Sequence, residues 1–237
     1  MSPKPFYTPD TIRPPAYQLR YNWTGWPSNS YFPDEPNEKF FDELAERCEA
    51  DGIRLLERTW SRSRILLTTS VKPTVSPTLF TTRMKGRLQH ALREKLWPLD
   101  FSRKVSMNSV GDADRSTTER YVASQVDKEP LADPGSKPFL ERFTVEDEDV
   151  DLSKPVATRR GRYWYNLHLV FVVRDRCRIR KPHRLRVIRD GAMRVARAKD
   201  HRMSVFSAVP DHVHMALGGA VDQSPEAVGL AGRDERN

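Results

Sequence analysis

His212 and His214 stand two apart in the stretch Val209-Pro210-Asp211-His212-Val213-His214-Met215-Ala216-Leu217. On a β-strand this spacing puts both imidazoles on one face and Val213 and Met215 on the other. The surrounding Val205, Phe206, Val209 and Leu217 make a strand the natural assignment. Two neutral nitrogen ligands on one rigid strand suit a divalent cation, with room left for a third ligand and for substrate oxygens. The same spacing would also serve two surface histidines on a half-buried strand. Asp211 either orients His212 as a hydrogen-bond acceptor or is a turn residue after Pro210. The other candidates are Tyr121 and Gln125, four apart and so on one face of a helix. Val122 and Val126 form the neighbouring apolar stripe. Read without further context, these two are a core-edge tyrosine and a solvated polar residue.

Composition narrows the setting. The 237 residues suffice for one large or two small domains. A net charge of +8, from 40 basic and 32 acidic residues, favours a polyanionic partner. Hydrophobic residues make up only 38%, so small cores with polar tails are expected. Cys48 and Cys177 are far apart in sequence, which suits a reducing compartment better than a zinc site or a disulfide framework. No run approaches the ~18 apolar residues of a membrane span, and the first residues lack a signal-peptide core. The expected location is the cytoplasm, associated with the nucleoid, with no membrane partner.

The elements that must position these groups follow from periodicity. Residues 1–16 carry Pro3, Pro5, Pro9, Pro14 and Pro15 and read as an extended arm. A strand over 17–24, a helix over 38–50, strands over 53–57 and 64–71, a helix from Pro77 to about Leu96 and a strand over 101–110 come next. The sequence Ser116-Thr117-Thr118-Glu119 reads as a capping box opening a helix to about Lys128, which holds Tyr121 and Gln125. This order suits a ferredoxin-like (RRM-like) antiparallel sheet over residues 17–130. Residues 131–162, with Pro134-Gly135, an acidic run and Pro155, read as a linker. From Tyr163 strand, helix, strand and motif strand recur in the same order, an internal duplication over 163–237. Aligning Thr59–Ile65 with Val209–Met215 sets Arg62 opposite His212 and Arg64 opposite His214, and an arginine cannot ligate a cation because it stays protonated. The twelve residues after Pro225 cannot supply another helix, strand and helix. The fold class is therefore α+β, with two ferredoxin-like antiparallel-sheet domains, the second incomplete. Its first strand, 166–173, would be left as an unpaired apolar edge, to be covered by the first domain, by residues 131–162 or by a second chain.

The string Pro-Asp-His-Val-His-Met resembles the HUH motif (His, hydrophobic, His) of the single-tyrosine transposases, the insertion-sequence and REP-associated enzymes that act on single-stranded DNA. The resemblance extends to Tyr165-Asn166-Leu167-His168-Leu169-Val170-Phe171-Val172-Val173-Arg174, similar to the family's opening strand. In the first half it takes in Val71–Pro77, Met84-Lys85-Gly86, Phe101–Lys104 and Ser109–Asp112. It covers roughly residues 17–130 and 163–230, as a duplicated and partly degenerate member.

The resemblance implies Tyr121 as nucleophile, with His212, His214 and Gln125 as metal ligands. Mg²⁺ or Mn²⁺ fits this better than Zn²⁺, since three protein ligands are implied and one is an oxygen. The implied reaction is cleavage and rejoining of single-stranded, hairpin-forming DNA through a 5′-phosphotyrosine. Arg62, Arg64, Lys85, Arg87, Arg103 and Lys104 are candidate phosphate contacts, and the denser series from Arg174 to Arg186 reads as a polyanion-facing patch. Trp23, Trp26 and Trp164 are candidates for base stacking or for packing. In the family the tyrosine helix of one subunit completes the histidine site of another. Here that implies either a pseudo-dimer within one chain or a homodimer. Two other readings stay open: a decayed transposase that only binds DNA, and a remnant without function.

Overall fold

The computed structural model describes residues 19–28, 31–95, 100–110, 114–128, 137–159 and 161–231. The expected arm over residues 1–16 lies outside these. The chain forms two compact units, residues 1–111 with 224–226, and residues 112–223 with 227–237.

The first unit runs β1 (Leu19–Pro27), α1 (Glu38–Ala50), β2 (Ile53–Trp60), β3 (Ile65–Val71), α2 (Pro77–Glu94) and β4 (Phe101–Ser109). Its sheet has the order β2-β3-β1-β4 with every pair antiparallel, which is the ferredoxin-like arrangement. Asn37 caps α1 by accepting from the Phe40 amide at 3.1 Å, and Ser76 caps α2 ahead of Pro77. Gly52 ends α1 at φ +77°, a backbone that side chains with a Cβ disfavour. The apolar faces of both helices meet the sheet in one core with Trp23, Leu44, Ile53, Ile65, Phe80, Met84 and Leu88 all essentially without exposure. Burial of each such side chain stabilises by about 1.5–3 kcal/mol. Trp23 is thus a core residue, and its ring lies so close over Gly25 that a Cβ there would fall 2.3 Å from it.

The second unit begins with α3 (Arg115–Ala123) and α4 (Gln125–Lys128), followed by α5 (Lys137–Leu140) and β5 (Thr144–Glu146). A small hairpin of β6 (Val156–Thr158) and β7 (Gly161–Tyr163) leads to β8 (Asn166–Val172), α6 (Pro182–Ala198), β9 (Arg202–Val209) and β10 (His212–Gly218). Its sheet has the order β5-β9-β10-β8, again antiparallel throughout. One face, with Leu167, Leu169, Phe171, Phe206, Val213 and Met215, shares a core with Leu185, Ile188, Ala192 and Ala196 of α6. The molecule is α+β with two four-stranded antiparallel sheets, and the β8-α6-β9-β10 order repeats β1-α1-β2-β3. Among the described residues β10 is followed by one short helix, α7 (Pro225–Ala231).

Three features differ from the sequence reading. The tyrosine helix belongs to the second unit, because Val122 has its burial partners there, Val205 and Ala216. Residues 131–162 are not simply a linker: β5 pairs with β9, Leu140 and Phe143 enter the core, and Leu152 is 1% exposed. A three-residue strand is too short for its alternation to register. Finally, β5 extends the β9 side of the sheet, so it does not cover the edge of β8. Among the described residues no strand pairs with the outer edge of β8, and Val170 and Val172 on it are exposed.

Candidate active site

The strand β10 turns His212 and His214 to the sheet face opposite α6, as alternation requires. Register places His212 beside Val172, His214 beside Val170 and Ala216 beside His168. His168 therefore lies diagonal to His214 on the same face, within reach for a long side chain. The helix α3 crosses this face. Its cap is Asp114, whose carboxylate accepts from the Thr117 amide at 2.7 Å; the cap is thus two residues earlier than the Ser116 capping box implied. Val122, fully buried, rests on Val205 and Ala216 and sets the rotation of the helix. Tyr121, its neighbour, is directed at the histidines. Replacing Val122 with alanine is expected to cost roughly 1–3 kcal/mol by cavity formation, and to loosen Tyr121; thermal melting of the two proteins checks the first effect.

The Tyr121 ring meets the His214 ring edge-on with centroids 5.4 Å apart, and the His168 ring at 5.8 Å. His212 and His214 lie 4.8 Å apart at 76°. His168 lies beside His214 with the two rings 21° from parallel and centroids 5.1 Å apart, and Nε2 of His168 is 2.9 Å from Nδ1 of His214. Tyr121 is 41% exposed whereas His214 is 5% exposed, so the phenol is open to a large substrate while the imidazole behind it is sheltered. The Lys128 ammonium sits 4.0 Å from the Tyr121 ring centroid. The helix breaks at Ser124, and Gln125 turns back so that its Nε2 donates to the Tyr121 carbonyl at 2.6 Å. That bond leaves Oε1 as the atom of Gln125 with lone pairs to offer.

Asp211 is an orienting acceptor as well as a turn residue. Its Oδ1 lies 2.5 Å from Nδ1 of His212, and Oδ2 lies 3.5 Å from Arg176. Burial pushes the Asp211 carboxyl up, but the hydrogen bond and charge of His212, with Arg176, outweigh it and hold it below the usual range. His214 is pushed down to about 4, first by burial and then by the neighbouring charges of His212, His168 and Lys128. It is therefore neutral at pH 7, with a lone pair available. The turn ahead of the motif is braced from the basic loop: the Val173 amide donates to the Asp211 carbonyl at 2.8 Å and the Ile179 amide to Pro210 at 2.7 Å. Arg174, Arg176, Arg178, Arg180 and Lys181 of that loop, and Arg184 and Arg186 at the start of α6, all have exposed side chains.

The candidate phosphate contacts lie on the first unit. Arg87 is engaged with Asp51 at 2.8 Å, and Lys85 donates to the Ser102 carbonyl at 2.9 Å. Arg103 and Lys104 are exposed on β4. Arg62 and Arg64 occupy the turn between β2 and β3, so neither is on a strand as the aligned histidines are, and Arg62 faces Asp34 at 3.2 Å. Trp164 is 58% exposed with its indole N–H donated to the Ser153 carbonyl.

His168 and Lys128 were not singled out from the sequence. The alternation of Asn166–Val172 does place His168 on one face, but its partner is 46 residues away. Lys128 lies seven residues after Tyr121, two helical turns on, a spacing that could have been read.

Among the described residues no group of three or more His, Cys, Asp and Glu side chains is arranged to hold a metal ion. Of the expected ligands, His212 and His214 lie together on β10, and the buried Gln125 donates to the Tyr121 carbonyl. His212 already has Nδ1 engaged by a carboxylate, the arrangement usual for a metal-bound histidine.

No helix among the described residues is long and apolar enough to cross a membrane. No family model matches the sequence, and no curated protein matches it. Among solved structures, the chain is similar to a "putative transposase" from Deinococcus radiodurans R1, determined at 1.90 Å resolution, with a TM-score of 0.35 and 16% identity over 48% of this chain and 95% of that one.

Proposed function

We propose that this chain is a single-tyrosine HUH transposase-like protein that binds single-stranded, hairpin-forming DNA and cleaves and rejoins it through a 5′-phosphotyrosine. The observation that carries this reading is the placement of the Tyr121 ring against His214 of the His-Val-His strand, within one unit of one chain. The Tyr121 oxygen attacks the phosphorus, a new P–O bond forms, and the bond to the 3′ oxygen breaks. The phenolic proton passes to solvent and the departing oxygen takes one up, leaving a free 3′-OH. Rejoining reverses these steps with a 3′-OH as nucleophile. A divalent ion held by His212, His214 and Gln125 would polarise the phosphodiester and stabilise its developing charge. Asp211 holds the His212 ring in place, Val122 holds the helix, and Lys128 adds positive charge where a phosphate approaches.

The test is incubation with a radiolabelled hairpin oligonucleotide and Mn²⁺, with denaturing electrophoresis to detect a covalent adduct. An adduct mapped to Tyr121 supports the reading. Tight binding with no adduct leaves a DNA-binding module in its place.

The exposed arginines and lysines supply a further prediction. Affinity for a hairpin should fall by roughly 10³-fold or more between about 50 and about 200 mM salt if six or more phosphates are contacted. Alanine at each contacting residue should lower the slope by about one. Fluorescence anisotropy can compare pairs at Arg62 and Arg64, Arg103 and Lys104, and Arg180 and Lys181, ranking the surfaces of the two units.

A further inference from the structure

We infer that His168 on β8 is a positioning residue: its Nε2 accepts from Nδ1 of His214, which fixes the tautomer and ring plane of His214 and leaves its Nε2 as the nitrogen with a free lone pair. The inference rests on the metal reading of the motif histidines for its direction, and on geometry for the contact itself.

Only one proton fits in the 2.9 Å gap between Nε2 of His168 and Nδ1 of His214. If it belonged to His168, Nδ1 of His214 would be the acceptor and its Nε2 would carry the other proton. Neither nitrogen of His214 could then serve a ligand. If it belongs to His214, Nε2 is free. The companion histidine is already held this way. The Asp211 carboxylate is acceptor-only when ionised, so the nitrogen 2.5 Å from it, Nδ1 of His212, carries the proton. Among the described residues no carboxylate hydrogen-bonds His214, and His168 fills that role with an imidazole ring. The two histidines of the motif are thereby presented in the same tautomer by unlike partners. The two rings lie side by side, 21° from coplanar, as an in-plane hydrogen bond requires, and Tyr121 packs against both. His168 is on the exposed face of an edge strand, so changing it leaves the apolar core untouched.

The experiment uses the full chain labelled with ¹⁵N-histidine. Long-range ¹H–¹⁵N correlation spectra taken without metal read the tautomer of His214. The parent should show the Nδ1–H form. His168→Phe keeps an aromatic ring but no acceptor, and His214 should shift to the Nε2–H form. His168→Gln keeps an acceptor oxygen and should restore the parent form. Mn²⁺ affinity, read by paramagnetic resonance of the free ion, should fall about 10- to 100-fold in His168→Phe, and recover in His168→Gln. An Nε2–H form of His214 in the parent, or a tautomer and Mn²⁺ affinity unmoved by His168→Phe, overturns the inference. A parent with the Nδ1–H form that binds no Mn²⁺ counts against the metal reading, while the spectra still support the contact assigned to His168.

Discussion

Tyr121→Phe is expected to abolish covalent capture of hairpin DNA, by ~10⁴-fold or more as for loss of an enzymic nucleophile, while hairpin affinity and melting temperature stay near those of the parent. The separation follows from where the hydroxyl sits. Docking of α3 depends on Val122 against Val205 and Ala216, and the Tyr121 ring keeps its contacts with His214 and His168 when only the oxygen is removed. A mixing experiment extends this. Tyr121→Phe protein combined with His212→Ala protein should regain no cleavage, because tyrosine and histidines belong to one unit of one chain. Recovery of cleavage on mixing would instead show the helix exchanging between chains. An active Tyr121→Phe protein would remove Tyr121 from the chemistry altogether.

The second large effect concerns the metal. Mn²⁺ at about a hundredfold over its Kd should stabilise the folded protein by about 2.7 kcal/mol, since the unfolded chain lacks the site. For a unit of about 120 residues that corresponds to a rise in Tm on the order of 10 °C. Combining His212→Ala with His214→Ala should remove the rise entirely, because a single amide oxygen cannot hold the ion. Gln125→Ala should reduce it and leave part. Calorimetric melts with and without Mn²⁺ measure all three, and an unchanged rise in the double variant would place the metal elsewhere. The comparison between variants must be of metal-induced shifts, since His214 is itself buried and its loss also changes the metal-free melt.

Much of the local architecture is written in short-range pattern. The apolar positions Phe40, Phe41, Leu44 and Cys48 recur at helical spacing, and the helix runs from Glu38 to Ala50. Pro77 opens α2 because proline suits a first turn. The shared face of His212 and His214 follows from strand alternation alone. These features depend on residues within a few positions of each other, so the chain itself determines them. Which surfaces meet is settled by packing between distant parts of the chain. The sequence places Tyr121 on a helix but does not tell which sheet Val122 will bury itself against, because any apolar groove of the right shape would satisfy it. The approach of His168 to His214 depends on the pairing register of β8 and β10, a contact 46 residues apart. The strand Thr144–Glu146 is specified by the edge of β9 that it completes, not by three residues of its own. Arg62 and Arg64 match the histidines in alignment and not in place, because the β2–β3 turn is two residues longer than Pro210-Asp211 and keeps both arginines off the strand. Periodicity reports which face of an element is apolar, while burial, which is non-directional and non-local, selects the partner for that face.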